Sequence, residues 1–564
     1  IFKKLSLLKK KFSKHNIDGY LIPKNDEFFG EYAVNDRLNK ISNFSGSAGL
    51  AVILKRKNLL FVDGRYTIQA KKESGNYFKI IEIHKNSPKK KLKNLTLGFD
   101  PTIFTTKQLK NYFSRSIKLK SIKKNLVDEV NKIKADKVKL FYSLKSKIVG
   151  ENYSSKIKKV RNILKSNKID YLFISAPENV AWLLNIRGQD NPNSPIPNCR
   201  LLIGKNNDLF LISEKNKCLK IIKEKKLNSY QIINPKNFSS LIKELKGKYI
   251  TIDPLTCSSF FETIIKSKFS IRNKEDPCYE LKSIKNKSEI QNMINSHIWD
   301  GLALTKFIYW IKYINKKKIS EVDAQNKLEN FRKLNKNYLF PSFSTIAGTG
   351  SNGAIVHYRA TMNNTKIIKK NDIFLLDSGG QYKYGTTDVT RTICFSKQRK
   401  HIKNIFTEVL KGHIAVVQTN LKKNNIGKEI DKRARKYLSA SGRDYAHGTG
   451  HGVGFFLNVH EGPQSISRYN KVKLKEGMIL SNEPGFYKKG GFGIRIENLI
   501  YIKRNNNKLI FENLTLVPIE KDLINHKLLT KDEKDYLFKY HLNIYALYAE
   551  YLSLKEKKWL ASLI

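Results

Sequence analysis

The first half of the chain passes twice from a helix stripe to an apolar strand in the same way, and this repetition restricts the fold more than any other feature. Leu5, Leu8 and Phe12 recur at helical spacing and lead through Ile17-Asp18 into Tyr20-Leu21-Ile22. Ile157, Val160 and Leu164 lead through Ile169-Asp170 into Tyr171-Leu172-Phe173-Ile174. The glycine-punctuated Phe44–Gly49 and the strand-like Leu60-Phe61-Val62 before Asp63-Gly64 follow the first copy. Helices alternating with apolar strands read as α/β, so two related α/β modules are expected.

A chain of 564 residues is too long for one core, which stops growing near ~250–300 residues. The texture divides it into 1–151, 152–286 and 287–564. The third region opens on an amphipathic helix stripe (Ile290, Met293, Ile294, Ile298, Leu302, Leu304) and turns to strands and glycine loops from Phe340 to Ile502. From about 515 to 564 it closes with a helical extension. There a Thr530/Glu533 capping box precedes Tyr536, Leu537, Tyr540, Ile544, Leu547 and Tyr548, an aromatic face that must pack on its own domain or on a second subunit.

Charge bounds the partners. With 106 Lys+Arg against 49 Asp+Glu, the net +57 could hold nucleic acid or an anionic membrane. Only 18 of the 106 are arginine, and the excess lysine is spread through every segment beside Ile and Asn. A binding face would concentrate Arg and aromatics, so compositional drift is the simpler source and no specific nucleic-acid or membrane partner is expected. Five scattered cysteines without a CxxC pair suit a reducing compartment. No window approaches the ~20 apolar residues of a membrane span, and Ile1–Lys10 lacks a signal-peptide stretch. A cytoplasmic protein is expected.

In so basic a chain, acids set among apolar strand residues are the informative exceptions. Asp377 ends Ile373-Phe374-Leu375-Leu376, and Asp388 lies in the polar alternation Thr386–Thr392. Two strands joined by a turn would set these carboxylates side by side across a ladder, where like charges repel unless something positive sits between them. His447-Gly-Thr-Gly-His451-Gly-Val-Gly carries two imidazoles on a backbone that glycine opens to close approach by a bound group. His460 and Glu461 follow, then Glu483 before Pro484-Gly485. Glu497 lies in a predicted strand Gly493–Leu499, where Arg495 and Glu497 share one face. Singly, each has a plain explanation: a turn-forming Asp, a loop Glu, a solvated His, an Arg beside a surface acid. Together, Asp377, Asp388, Glu483 and Glu497 with neutral His451 bring four negative charges, which two divalent cations would balance. Such a hard, oxygen-rich set suits Mn²⁺ or another octahedral ion better than structural zinc. Two ions bridged by carboxylates would hold and acidify a hydroxide.

The segments Asp377-Ser-Gly-Gly-Gln-Tyr, Gly385-Thr-Thr-Asp388-Val-Thr-Arg, His447–Pro463, Ser481-Asn-Glu483-Pro-Gly-Phe-Tyr487 and Gly493-Ile-Arg-Ile-Glu497-Asn resemble the Xaa-Pro aminopeptidases in their long three-domain cytosolic form. Phe44-Ser-Gly-Ser-Ala-Gly, Asp63-Gly-Arg-Tyr and Asn179–Gly188 extend the resemblance over nearly the whole chain. It implies two creatinase-N-like α/β domains before a C-terminal pita-bread metallopeptidase domain, α/β and α+β overall. It implies a proline-specific metallo-aminopeptidase (a hydrolase and protease) removing the first residue of peptides with proline second. Asp377, Asp388, His451, Glu483 and Glu497 would bind two metal ions, Mn²⁺ before Co²⁺ or Zn²⁺, with Asp388 and Glu497 bridging. Glu483 would move the proton, while His357, His447, His460 and Arg495 would complete the catalytic pocket. A homodimer is expected on the same ground. A prolidase-like Xaa-Pro dipeptidase and a non-catalytic pita-bread binding protein are the alternatives, and creatinase, which uses this fold without metal, is disfavoured by the complete ligand set.

Overall fold

Gly19–Pro23 and Tyr171–Ile174, the two strands predicted from the apolar runs, are buried along their whole length, and each lies inside a six-stranded sheet. The structure, a computed structural model, describes residues 1–131, 138–314 and 318–564. The chain forms two units, residues 1–145 with 151–278 and residues 146–150 with 279–564. Both sheets belong to the first unit.

Their topologies are the same. Gly19–Pro23 pairs antiparallel with Gly49–Leu54, then comes antiparallel Asn58–Val62, then parallel Lys79–Glu82; parallel Leu95–Phe99 and Ile117–Ser121 lie on the other side. Around Tyr171–Ile174 the corresponding strands are Arg200–Gly204, Leu209–Ile212 and Ile232–Ile233 on one side, with Tyr249–Ile252 and Ser270–Asn273 on the other, in the same senses. The stripes also behave as predicted: Leu5 and Leu8 of Phe2–Lys10, and Ile157, Val160 and Leu164 of Tyr153–Ser166, are buried. Even the aspartates at the handover correspond. Asp18 accepts the Thr96 amide and Asp170 the Tyr249 amide, both at 2.9 Å, each from the parallel neighbour. Lys55 and Lys205, next after the antiparallel partner strand, pair with these carboxylates at 3.5 and 2.8 Å. The Asp thus satisfies a backbone donor that would otherwise lie unpaired at the start of a ladder.

In the second unit the long helix Lys287–Tyr309 starts on a complete Asn286/Glu289 capping box. A five-stranded sheet runs in the order Glu461–Ile466, Gly450–Gly452, Ile479–Asn482, Asn498–Asn505, Lys508–Asn513. Three smaller sheets adjoin it: Ile346–Thr349 with Ile373–Ser378 and Val389–Cys394; Tyr338–Pro341 with Gly380–Tyr382 and Gly385–Thr386; and the hairpin of Gly485–Lys488 with Phe492–Arg495. One core joins Phe406 and Leu410 of helix Lys400–Val417, Ile494 and Ile496, and Tyr540, Ile544 and Tyr548 of the tail helix Lys531–Tyr548. The predicted Thr530/Glu533 box caps that helix with both bonds made, and its aromatic face packs within its own unit. No helix among the described residues is long and apolar enough to cross a membrane.

One strand predicted from the sequence is two in the structure. Phe492–Arg495 ends in the hairpin, Asn498–Asn505 begins in the five-stranded sheet, and Ile496-Glu497 is the crossing between them. The crossing is held because the Ile496 amide donates to the Pro484 carbonyl at 3.3 Å and the Glu497 amide to the Thr390 carbonyl at 3.1 Å.

Burial pushes the Asp170 carboxyl up, but bonds from Lys205 and from the Tyr249 and Lys248 amides outweigh it and bring it to about 2, from an ordinary 3.8. A depressed carboxyl stabilises the fold above its unfolded value and loses that contribution as pH falls toward the folded one. Asp170→Asn is therefore expected to cost about 1 kcal/mol near pH 7, after discounting for solvent screening, with the gap to wild type closing toward pH 2. Urea unfolding across pH measures it, and a gap independent of pH would contradict this account.

Candidate active site

Strand Ile373–Ser378 is buried throughout and flanked by Ile346–Thr349 and Val389–Cys394, with Asp377 opposite Ile346 on one side and Thr390 on the other. Asp388 stands just before Val389–Cys394, two residues from Thr390, and so one diagonal step from Asp377. The side-by-side pair on a simple hairpin, expected from the sequence, does not form, because the link between the strands builds Gly380–Tyr382 and Gly385–Thr386 into a sheet of its own. Diagonal neighbours sit ~7–8 Å apart, which weakens the repulsion and leaves room for a cation.

His451 lies in Gly450–Gly452, its amide donating to Ser481 Oγ at 3.0 Å. Its Nδ1 is 2.8 Å from the Gly452 carbonyl. A carbonyl only accepts, so in the neutral ring Nδ1 carries the proton and the Nε2 lone pair faces Asp388 Oδ2 at 3.6 Å and Glu483 Oε1 at 3.5 Å. A lone pair turned toward two carboxylates is the arrangement a cation would complete. Gly450 also admits a neighbouring strand, since a Cβ there would stand 1.9 Å from the Ser481 carbonyl.

Glu483 follows Ile479–Asn482; its amide donates to the Thr449 carbonyl at 2.8 Å and Ser481 Oγ donates to its Oε1 at 3.1 Å. Glu497 accepts from Thr390 Oγ1 at 2.7 Å. One ligand atom each from Asp388, His451 and Glu497 lie within 4.8 Å of one another. Asp377 binds Arg495 Nη2 through Oδ2 at 2.5 Å, while its buried Oδ1 has no hydrogen-bond partner. That orphaned oxygen, the His451 lone pair and the hard donor set all fit divalent cations. A second acidic grouping, Cys394 with Glu520 and Asp522, needs none, since Lys312 already lies 2.6 Å from Glu520 and 3.0 Å from Asp522.

Arg495 also donates from Nε to Thr390 Oγ1 at 3.0 Å and from Nη1 to Tyr487 Oη at 2.7 Å. Tyr487 Oη lies 2.8 Å from His447 Nε2, and His447 Nδ1 2.7 Å from the Gly448 carbonyl, so Tyr487 donates to His447. Burial, reinforced by the Arg495 charge, pushes His447 down to about 3, which keeps its ring neutral. The His460 ring packs on that of His451 with centroids 4.1 Å apart, and His357 is half-buried. Thr390 and Tyr487 were not singled out from the sequence. Thr390 was within reach, since period two from Asp388 puts it on the same face.

Burial drives three of these acids upward. Asp377 rises to about 7 through burial, opposed by Arg495 and reinforced by Asp388 and Glu483. Burial likewise raises Glu483, and raises Glu497 far above the usual carboxylate range, with the neighbouring carboxylates adding to it.

Compared with known proteins, the chain matches metallopeptidase family M24 over residues 291–504 and the C-terminal region of peptidase M24 over 507–563. The creatinase/prolidase N-terminal domain matches twice, over 4–130 and 134–289. The chain is 36% identical over 598 residues to Xaa-Pro aminopeptidase 1 of Dictyostelium discoideum, covering 96% of this chain and 92% of that protein. It is 36% identical to a probable Xaa-Pro aminopeptidase P of Coprinopsis cinerea, covering 96% and 94%. Among solved structures it resembles the X-prolyl aminopeptidase of Caenorhabditis elegans, described as a cytosolic enzyme with a di-nuclear active site (TM-score 0.89, 30% identity, 100% of this chain and 99% of that one). A prolidase from Thermococcus sibiricus covers only 66% of this chain (98% of its own length, 26% identity, TM-score 0.53).

Cations bind the ionised carboxylates, so loading must expel the protons that the raised groups carry, and affinity should fall as pH drops below about 7. Titrating ion-free protein with Mn²⁺ in buffers of differing ionisation heat should show more protons released at pH 6.5 than at pH 8.5. Equal release at both would contradict these electrostatics.

Proposed function

Because the chain belongs to metallopeptidase family M24, in the full-length form of the Xaa-Pro aminopeptidases, we propose that it is itself an Xaa-Pro aminopeptidase, hydrolysing the bond between a peptide's first residue and a proline in second position. The observation that carries this is the convergence of Asp377, Asp388, His451, Glu483 and Glu497, from five separate segments of the chain, on one largely buried cup. These five would hold two divalent ions, Mn²⁺ by the hardness of the donors. Bound there, the ions supply Lewis acidity, lowering the pKa of a water and polarising the scissile carbonyl.

The chain's own groups do the rest. Glu483 is partly open to solvent and is steadied by the Ser481 hydroxyl. Its carboxylate takes a proton from the attacking water and passes it to the proline nitrogen. His447 has both ring nitrogens engaged, by Gly448 and Tyr487, so it walls the pocket as a fixed neutral ring. His357 and His460 stabilise the oxygen that becomes negative and the leaving group. Arg495 opposes the burial that raises Asp377 and holds Tyr487 in place. A proline nitrogen in a peptide bond carries no N–H, so selectivity needs an apolar ring pocket and no waiting acceptor.

The proposal extends to a cytoplasmic homodimer. Its support is the cytosolic C. elegans enzyme and the exposed Phe538 and Leu542, one turn apart on the tail helix, at 51% and 43% exposure. Prolidase is the rival reading, and it leaves a third of this chain without a counterpart.

Glu483→Gln is expected to abolish release of the first residue, a loss of about 100-fold or more, while thermal melting of the protein stays near wild type. Wild-type protein should cleave an Xaa-Pro-Xaa tripeptide well and the matching Xaa-Pro dipeptide poorly; an active Gln variant, or preference for the dipeptide, would overturn the assignment.

A further inference from the structure

We propose that the buried ion pair of Asp300 and Arg332 is the positioning device for the metal centre, fixing Asp377 and Asp388 through the residues beside them. The proposal rests on the two-ion site described above. Asp300 lies on helix Lys287–Tyr309 and Arg332 on Glu321–Lys333, and neither was marked by the sequence. Arg332 donates from Nε to Asp300 Oδ1 at 2.7 Å and from Nη2 to Oδ2 at 3.2 Å. Tyr382 Oη donates to Oδ1 and Thr387 Oγ1 to Oδ2, both at 2.8 Å. Arg332 Nη2 also donates to Ser378 Oγ at 3.0 Å. Ser378 follows Asp377, and Thr387 precedes Asp388. One carboxylate and one guanidinium therefore grip the hydroxyls of the residues next to both aspartates, and all five residues are at most 2% exposed.

Stability alone does not account for this pair. Desolvating two ions costs several kcal/mol, and well-packed apolar residues often serve as well or better. What apolar residues cannot supply is a set of directed bonds. Tyr382 and Thr387 lie in and just after the small ribbon Gly380–Thr386 that separates the two aspartates, so Asp300 sets the height of both ends of that ribbon. The Thr387 hydroxyl in turn accepts the Gly380 amide at 2.9 Å, which ties the ribbon's start to its finish. Neither Asp300 nor Arg332 is assigned to touch ion or substrate; they act through the aspartates they place.

Two variants test this, both read by metal binding to ion-free protein. Asp300→Asn keeps the size of the group and removes its charge, and Thr387→Val removes only the hydroxyl next to Asp388. Each is expected to weaken binding of at least one of two Mn²⁺ equivalents by about 10- to 100-fold in titration calorimetry, and to alter the visible absorption spectrum of the Co²⁺-loaded protein. Thr387→Val, the milder change, should melt near wild type without metal, which separates positioning from general loss of structure. Unchanged Mn²⁺ affinities and an unchanged Co²⁺ spectrum in folded Thr387→Val would overturn the proposal. If wild type itself binds no second equivalent, the two-ion reading fails instead.

Discussion

Four carboxylates turned toward one buried cup repel each other, and the second unit is organised around holding them there regardless. Among the described residues, Arg495 is the permanent cation paired with one of these carboxylates, and one guanidinium offsets one charge of four. The 57 surplus positive charges of the chain do not help. Most lie on the surface, where salt damps them beyond roughly 8–10 Å, whereas the acids meet in a poorly screened interior. Local repulsion therefore dominates a large but distant attraction. Rising carboxyl pKa values, a lone pair aimed at acids and an oxygen without a partner are three signs of the same deficit of positive charge.

Holding repelling groups in place requires attachment from several directions. Asp377 sits in one sheet, His451 and the approach to Glu483 in another, and Glu497 in the crossing that leaves a hairpin for the five-stranded sheet. No single element could slide and let the acids relax apart. Thr390 illustrates this economy. Its carbonyl accepts the Glu497 amide, and its hydroxyl donates to the Glu497 carboxylate while accepting from Arg495.

What the sequence made legible follows from short-range rules. The doubled α/β topology could be seen in two stripes and two Ile-Asp pairs, because helix and strand periods and the carboxylate that closes a parallel ladder are local matters. The acids stood out because a charge within an apolar run is costly unless something compensates it. Where the chain changes partners, the sequence was silent. Gly493–Leu499 alternates as one strand would, and only Pro484 and Thr390, distant in sequence, decide that it breaks at Ile496. Asp300 was hidden for another reason: it lies at the edge of the apolar stripe of its helix, beside Met293 and Leu304, where an acid reads as the start of a solvated face. The helix is buried past that edge, at Ser296.

The three arms of Arg495 reach Asp377, Thr390 and Tyr487 from one planar group whose internal distances are covalent. It acts as a jig: the gap between the acids and the tyrosine that leans on His447 is gauged by a rigid template and not by the give of soft side chains. A receptacle machined in advance in this way sorts ions by radius and coordination number more than by element, so among ions of similar size the occupant would be decided by the supply in the surrounding medium.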